Sequence, residues 1–283
     1  MMKLCVVGTG LIGSSLAMGI KHRADDPDLV VLGVDNNREN ASTALELGII
    51  DQVVSLEEGL SQADVTVLAI PVDHIVTIIN HCLDGLPPRA VLLDMGSTKA
   101  AIAAIVQGHP RRGRYVAAHP IAGREKAGPS AAHHELMFHK PMLICDRERS
   151  DPDALQRAVA LFETLSMRIT YTSSAQHDRR LSYTSHLPHL LAFALSNTIL
   201  AEEENTEMLD SAGGGLKSVV RLALHSAQMW TPIFVQNRDH LMEANARLIN
   251  QLLALQEALE NNDAEAINTL IARANSIEDL LRN

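Results

Sequence analysis

Cysteine is scarce in this chain: Cys5, Cys82 and Cys145 are its three thiols, widely spaced. They form no CxxC pair and no metal-ligand cluster, and their odd number suits a reducing compartment. Cys5 and Cys145 lie in apolar runs, where a free thiol acts as a small buried hydrophobe. Long apolar runs are missing as well, since no stretch reaches the ~20 residues that cross a bilayer. The N-terminus does not read as a signal peptide, because Gly8, Gly10 and Gly13 interrupt its apolar run and no small-residue cleavage site follows a basic start. Positive charge is in deficit: 24 Lys and Arg face 34 Asp and Glu, a net charge of -10. An acidic surface repels phosphate backbones, which argues against nucleic acid as a partner. Anionic small substrates stay open, because a few local cations reverse the field inside a cleft. Repeats and low-complexity segments are also absent. These absences leave a cytoplasmic globular protein with no membrane partner. Its 46% hydrophobic and 20% charged residues are ordinary values, and 283 residues suffice for two domains with a core each.

The first part of the chain alternates short apolar runs with helical patterns. Strands are predicted at residues 3–7, 29–34, 64–70, 90–94 and 115–118, the last ended by His119-Pro120, and later at 142–145 and 168–171. Helices are predicted at 11–22, 38–47 (stopped by Gly48), 73–83, 99–106 and 153–165. This alternation implies a mostly parallel sheet wound on both faces. The character changes near Ser173, beyond which no strand pattern is found. Residues 174–204 form a long helical pattern with Pro188 inside it, where a kink is expected. Residues 211–215 are a small-residue hinge. A second long helix is expected over 228–260, broken by Asn261-Asn262-Asp263, and a last one over 264–281. The organisation is therefore an α/β doubly wound domain over 1–172 and an all-α domain over 173–283. A helical domain of that length cannot bury its apolar stripes alone, and pairing with a second copy is the natural remedy.

Gly8-Thr9-Gly10-Leu11-Ile12-Gly13 is a GxGxxG that follows a strand, opens a helix and is trailed by Asp35 at the end of the next strand. That combination is the Rossmann dinucleotide fingerprint. Gly8 makes the tight turn, Gly10 lets backbone approach a pyrophosphate, and Gly13 lets the helix lie close on the sheet. The N–H groups of the first turn, at Leu11 and Ile12, face the phosphates. Pro71, which ends the 64–70 strand, borders the same crevice. Asp35 selects the cofactor: a carboxylate there accepts from ribose hydroxyls and repels a 2'-phosphate, so NAD is expected over NADP.

Two further segments lie at strand ends, at the edge where open α/β sheets bind ligands. They are Gly96-Ser97-Thr98-Lys99 and His119-Pro120-Ile121-Ala122-Gly123. Ser185-His186-Leu187-Pro188-His189 follows in the helical half, then Lys217-Ser218-Val219-Val220-Arg221, then Trp230. In this order, with Glu125 just after the His119 motif, the sequence resembles the prephenate and arogenate dehydrogenase family over nearly its full length. The layout is the minimal one, with no room for a fused domain of ordinary size.

The resemblance implies oxidative decarboxylation of a cyclohexadienol dicarboxylate to 4-hydroxyphenylpyruvate, with NAD as cofactor, in tyrosine biosynthesis. By position, His119 takes the ring-hydroxyl proton, which suits an imidazole of unperturbed pKa about 6.5. Ser97 bonds the same hydroxyl. Arg221 grips the ring carboxylate, which a guanidinium can do bidentately. His189, Trp230, Glu125 and Lys217 line the substrate pocket, and His186 lies behind it. No metal site is implied: His186 and His189 are one helical turn apart but lack a third ligand. The chain departs from the family near the arginine, where Ser218 and Val220 replace the usual Asp and hydroxyl residue, and Arg124 replaces a small one. Those changes touch the part of the site that reads substituents. Arogenate and amino-substituted prephenates therefore stay open as substrates. A non-catalytic nucleotide sensor would keep the glycines and lose Ser97, His119 and Arg221, all of which are present. A homodimer built by the C-terminal helices completes the expectation.

Overall fold

Strands and helices alternate from Lys3 as the apolar runs require, and the computed structural model describes residues 2–24, 28–202 and 209–281. The order is β1 (Lys3–Val7), α1 (Leu11–Arg23), β2 (Val30–Val34), α2 (Arg38–Glu46), β3 (Gln52–Val53), α3 (Leu56–Gln62), β4 (Val65–Leu68), α4 (Val72–Gly85), β5 (Val91–Asp94), α5 (Ala100–Val106), β6 (Tyr115–Pro120), β7 (Pro141–Cys145), α6 (Pro152–Thr164) and β8 (Arg168–Thr172). The eight strands form one sheet in the order β3-β2-β1-β4-β5-β6-β7-β8. Every pairing is parallel except β6 with β7, where His119 lies opposite Leu143. The strand order reverses between β1 and β4, the switch point at which such sheets open a crevice.

Central strands are buried on both faces, so their runs are continuously apolar. In β1 the residues alternate: Leu4 and Val6 join the core formed with α1 and α6, while Cys5 and Val7 join the one formed with α4 and α5. Fully burying a side chain such as Leu4 contributes roughly 1.5–3 kcal/mol. All three cysteines are buried and unpaired.

Beyond Thr172 the described residues form no strand. Helix α7 (Ser174–Leu181) passes through a π segment (Ser182–His186) into α8 (Leu187–Leu200), with Pro188 in the first turn of α8. The proline lacks an N–H, and the expected irregularity falls on the five residues ahead of it. The 174–204 pattern ends as helix at Leu200, and its last two residues, Glu203 and Glu204, lie outside the described residues. Helices α9 (Gly214–Val220), α10 (Ala227–Gln236), α11 (Arg238–Glu260), α12 (Ala264–Asn275) and α13 (Ile277–Leu281) follow.

Several boundaries differ from the sequence reading. Strand β6 runs on through His119 and Pro120, because both pair with β7. The short β3 and α3 between residues 52 and 62 were not expected. The helix anticipated over 228–260 is two helices divided at Asn237, and the last helix is interrupted at Ser276. The chain forms two compact units, Met1–Asn237 and Arg238–Asn283. Helices α7 to α10 thus belong to the same unit as the sheet. Among the described residues no helix is long and apolar enough to cross a membrane.

Candidate active site

At the nucleotide end, the three glycines meet three different demands. Gly8 has φ +96°, and a Cβ there would lie 2.5 Å from the Ala69 carbonyl oxygen just past β4. A Cβ on Gly13 would lie 2.0 Å from the Gly8 carbonyl oxygen, so only glycine lets α1 start this close to the turn. Among the described residues, Gly10 has nothing within 4 Å of its Cβ position, leaving backbone open to a ligand. The first turn of α1, with Leu11 and Ile12, has neither a side-chain cap nor an acidic residue, so its N–H groups and positive dipole end suit an anion. Asp35, at the end of β2, accepts from the Thr9 N–H (2.8 Å), the Thr9 hydroxyl (2.9 Å) and the Asn37 N–H (2.8 Å). These bonds fix the carboxylate beside the glycine turn. Pro71 caps α4 beyond β4 and is exposed.

The second group of residues gathers at the ends of β5 and β6. Asp94 closes β5 and is fully buried; it accepts from the Tyr115 hydroxyl at 2.6 Å and the Gly96 N–H at 2.9 Å, and pairs with the buried ammonium of Lys99. The turn carrying Ser97 is thereby anchored from below. Ser97 is half-buried, and its hydroxyl takes no partner among the described residues.

His119 is 8% exposed. Its Nδ1 lies 2.8 Å from Nε2 of His177, whose Nδ1 lies 2.7 Å from Oδ1 of Asp178. Asp178 also accepts the N–H groups of Lys99 and Ala100, each at 2.8 Å. Asn237 ties this cluster to the helices, donating from Nδ2 to the Asp178 carbonyl (2.7 Å) and to Nδ1 of His186 (3.0 Å). Burial, with His177 and Lys99 close by, holds the His119 imidazole well below its usual proton affinity. His119 is therefore a neutral imidazole near pH 7, as a proton acceptor must be.

The third group is aromatic. His189 stacks on Trp230 with ring centroids 3.6 Å apart, while His186 and His225 meet the same indole edge-on. His189 Nδ1 donates to the Ser185 carbonyl at 2.8 Å. Its Nε2, the Trp230 Nε1 and the His186 Nε2 are buried without a partner among the described residues. Buried polar atoms are normally satisfied, so three orphans in one cluster point to a polar ligand or ordered water. Burial lowers both histidines to about 4.

Arg221 and Glu125 form an ion pair, which helps hold the Glu125 carboxyl below its ordinary range after that residue's own backbone N–H. Lys217 is exposed on α9. The Ser218 hydroxyl is turned back to the Gly214 carbonyl (2.8 Å), so Glu125 is the carboxylate that meets Arg221. His177, Asp178 and Asn237 escaped the sequence reading. One signal was available: Ser174, His177, Asp178 and Leu181 occupy one helical stripe, and all four are buried.

Comparison with known proteins identifies the family. The family described as prephenate dehydrogenase, nucleotide-binding domain, matches residues 18–171, and the prephenate dehydrogenase dimerization domain matches residues 173–273. A prephenate dehydrogenase of Bacillus subtilis is 28% identical over 98% of this chain and 75% of its own length. The structure of an A. aeolicus prephenate dehydrogenase, in complex with hydroxyphenyl propionate and NAD+, superposes with a TM-score of 0.87 at 26% identity, covering 100% of this chain and 99% of that one. An arogenate dehydrogenase of Synechocystis gives a TM-score of 0.79 at 25% identity, with 99% and 100% covered. With both of its domains matched along the chain, the protein belongs to the prephenate dehydrogenase family of oxidoreductases.

Proposed function

We propose that this chain converts prephenate to 4-hydroxyphenylpyruvate by NAD-dependent oxidative decarboxylation, in the formation of tyrosine. The observation that carries this reading is His119: a neutral, buried imidazole at a strand end, with Nδ1 committed to His177 and Nε2 left for substrate. A dinucleotide fits the N-terminal crevice, because Gly10 is open, Gly8 and Gly13 exclude any side chain, and the first turn of α1 is uncapped. NAD, when bound, supplies the hydride acceptor. Gly8, Gly10, Leu11, Ile12 and Gly13 would hold its pyrophosphate, Asp35 its ribose, and Pro71 would border it.

His119 takes the ring-hydroxyl proton as the carbinol carbon is oxidised, and Ser97 orients that hydroxyl. Loss of carbon dioxide leaves its bonding electrons in the ring, which becomes aromatic. The product is a phenol, so His119 returns the proton to the oxygen it came from and no net proton is released. Arg221 orients a carboxylate. A stronger grip in the ground state would only resist decarboxylation, so its contribution is geometric. Glu125 and Lys217 flank the mouth, and His189 and Trp230 supply the ring-stacking wall with unpaired N–H and lone-pair groups for the side chain. The aryl propionate held by the A. aeolicus relative supports an aromatic carboxylate of this size. Arogenate and an amino-substituted prephenate present the same hydroxyl chemistry with a different substituent. Reduction of NAD with prephenate, arogenate and 4-amino-4-deoxyprephenate, compared side by side, decides among them, and no reduction with any of the three overturns the reading.

NAD is expected to outperform NADP in kcat/KM, because Asp35 repels a 2'-phosphate. Asp35→Ser should narrow the gap, and an equal or better constant with NADP in the unaltered chain would reject the assignment. The protein is proposed to be a cytosolic homodimer joined by its C-terminal helices. Burial pushes each of its three thiols up to about 12, which keeps them inert. Met242, Ile249, Leu252, Leu253 and Leu259 stand exposed on α11, and Ile271 on α12. Stable dimers bury upwards of ~1,200 Å². Light scattering at micromolar concentration should give twice the 30.8 kDa chain mass, and a value near the single-chain mass would reject the dimer.

A further inference from the structure

We propose that His177 and Asp178 are positioning residues for His119: they fix the tautomer that leaves its Nε2 lone pair free for the substrate hydroxyl, and they steady the imidazolium formed when that proton arrives. The inference rests on His119 being the proton acceptor.

Oδ1 of Asp178 receives the Lys99 N–H and faces His177 Nδ1, while Oδ2 receives the Ala100 N–H. An ionised carboxylate can only accept, so His177 Nδ1 must carry the proton. Burial raises the Asp178 carboxyl, but the His177 bond and the two backbone N–H groups outweigh it and hold the group below its ordinary range. His177 is completely buried, and burial lowers its affinity as well, so its ring is neutral and Nε2 is a bare acceptor. His119 Nδ1, 2.8 Å away, must therefore be the donor. That leaves His119 Nε2 as the only lone pair on the ring, and no described residue occupies it. The opposite tautomer would put a hydrogen on Nε2 and would set a bare His177 Nδ1 against a carboxylate.

The fold is built to hold this chain of contacts. Strands β7 and β8 extend the sheet past β6 and deliver α7 to the start of α5. There the backbone that follows Ser97 grips Asp178. Asn237 holds the Asp178 carbonyl from the other side. The remaining ionisable groups facing the pair are Lys99 and Asp94 from the β5 end and His186 from the π segment. Lys99 is neutralised by Asp94, so Asp178 is the negative charge in line with the two imidazoles. Because the proton must return to the phenol within one turnover, its holder has to bind it reversibly. A carboxylate one histidine removed steadies the imidazolium without touching substrate.

The test combines nitrogen-15 NMR of histidine in the ligand-free protein with steady-state kinetics. In the unaltered protein, the His119 signals, assigned by their loss in His119→Asn, should show the Nδ1–H neutral form. An Nε2–H form there overturns the proposal without any further variant. Asp178→Asn should shift that pattern and lower kcat by tenfold or more, towards the ~10⁴ seen when the aspartate of a serine-protease triad is changed to Asn. KM and NAD affinity should stay within about twofold. His177→Gln, which can still offer an acceptor to His119 Nδ1, should retain more turnover than His177→Phe. Equal turnover in Gln and Phe variants, or normal kcat in Asp178→Asn, overturns the proposal. If His119→Asn itself remains active, the acceptor assignment fails instead. An inactive His119→Asn beside a normal Asp178→Asn rejects the positioning role alone.

Discussion

His119→Asn should fold, bind NAD normally and lose roughly 10²–10⁴-fold in turnover, the usual cost of removing a general base. The Asn amide can still donate to His177 Nε2, so the local packing has a substitute contact, but it cannot take a proton near neutrality. Circular dichroism and NAD titration should match the unaltered protein while kcat collapses. The pH profile supplies an independent check. Burial, His177 and Lys99 depress the His119 affinity well below the usual imidazole range. The working form is the neutral one, so kcat/KM should stay flat as pH falls from 8 to about 6.5 and decline only below that. Residual activity of the variant should lack this acid limb. The fold has its own acid limit in the same region. His186 and His189 sit at about 4 in the folded chain against 6.5 unfolded. The unfolded state therefore binds protons first, and this contribution to stability is complete above 6.5 and lost as pH falls towards 4. Ellipticity followed at each pH separates loss of fold from loss of the base. Near-normal turnover in His119→Asn, with the acid limb intact, would make His189 the next candidate.

Elements with a periodic apolar signal were legible in the sequence, and those set by distant contacts were not. The β1 run, the glycine turn and Asp35 were readable because each step follows from its immediate neighbours. Ser97 and His119 stood out by their strand-end positions, whereas the roles proposed for them and for Arg221 come from resemblance to known dehydrogenases. Strand β7 was located, but its direction was not, since a run of apolar residues carries no sign of which way the chain runs. Helix α3 was overlooked because Leu60 is its only buried large apolar residue. Its capping box of Ser55 and Glu58 was nonetheless a readable start signal. The division at Asn237 has no Gly or Pro to mark it. It coincides with an amide that reaches across to Asp178 and His186, and that contact is purely tertiary. His177 and Asp178 sit in a strongly polar helix, which reads as solvent-facing. Only the register set by Leu181 places them on the buried stripe.

Lys99→Met should be the most destabilising single change near the site, because it separates a completely buried ion pair. Both side chains of the Lys99–Asp94 pair are 0% exposed. Removing one partner of such a pair typically costs about 3–5 kcal/mol, because the other charge stays buried without compensation. That is a large fraction of the ~5–15 kcal/mol that holds an ordinary domain together. The Tyr115 hydroxyl and the Gly96 N–H would remain on Asp94, yet neither carries charge. The denaturation midpoint should fall sharply. Adding Asp94→Asn to Lys99→Met should recover much of the loss, since the amide oxygen can accept from the Gly96 N–H while its NH2 donates to the Tyr115 hydroxyl oxygen. A single variant within about 1 kcal/mol of the unaltered protein, or a double variant no more stable than the single, would refute the account. The same pair also bears on catalysis. The β5 turn carries Ser97, and the backbone N–H groups of Lys99 and Ala100 hold Asp178 in line with His177. Turnover in folded Lys99→Met should therefore drop by more than the unfolded fraction explains, because the turn that aims the imidazoles is anchored by the charge pair beneath it.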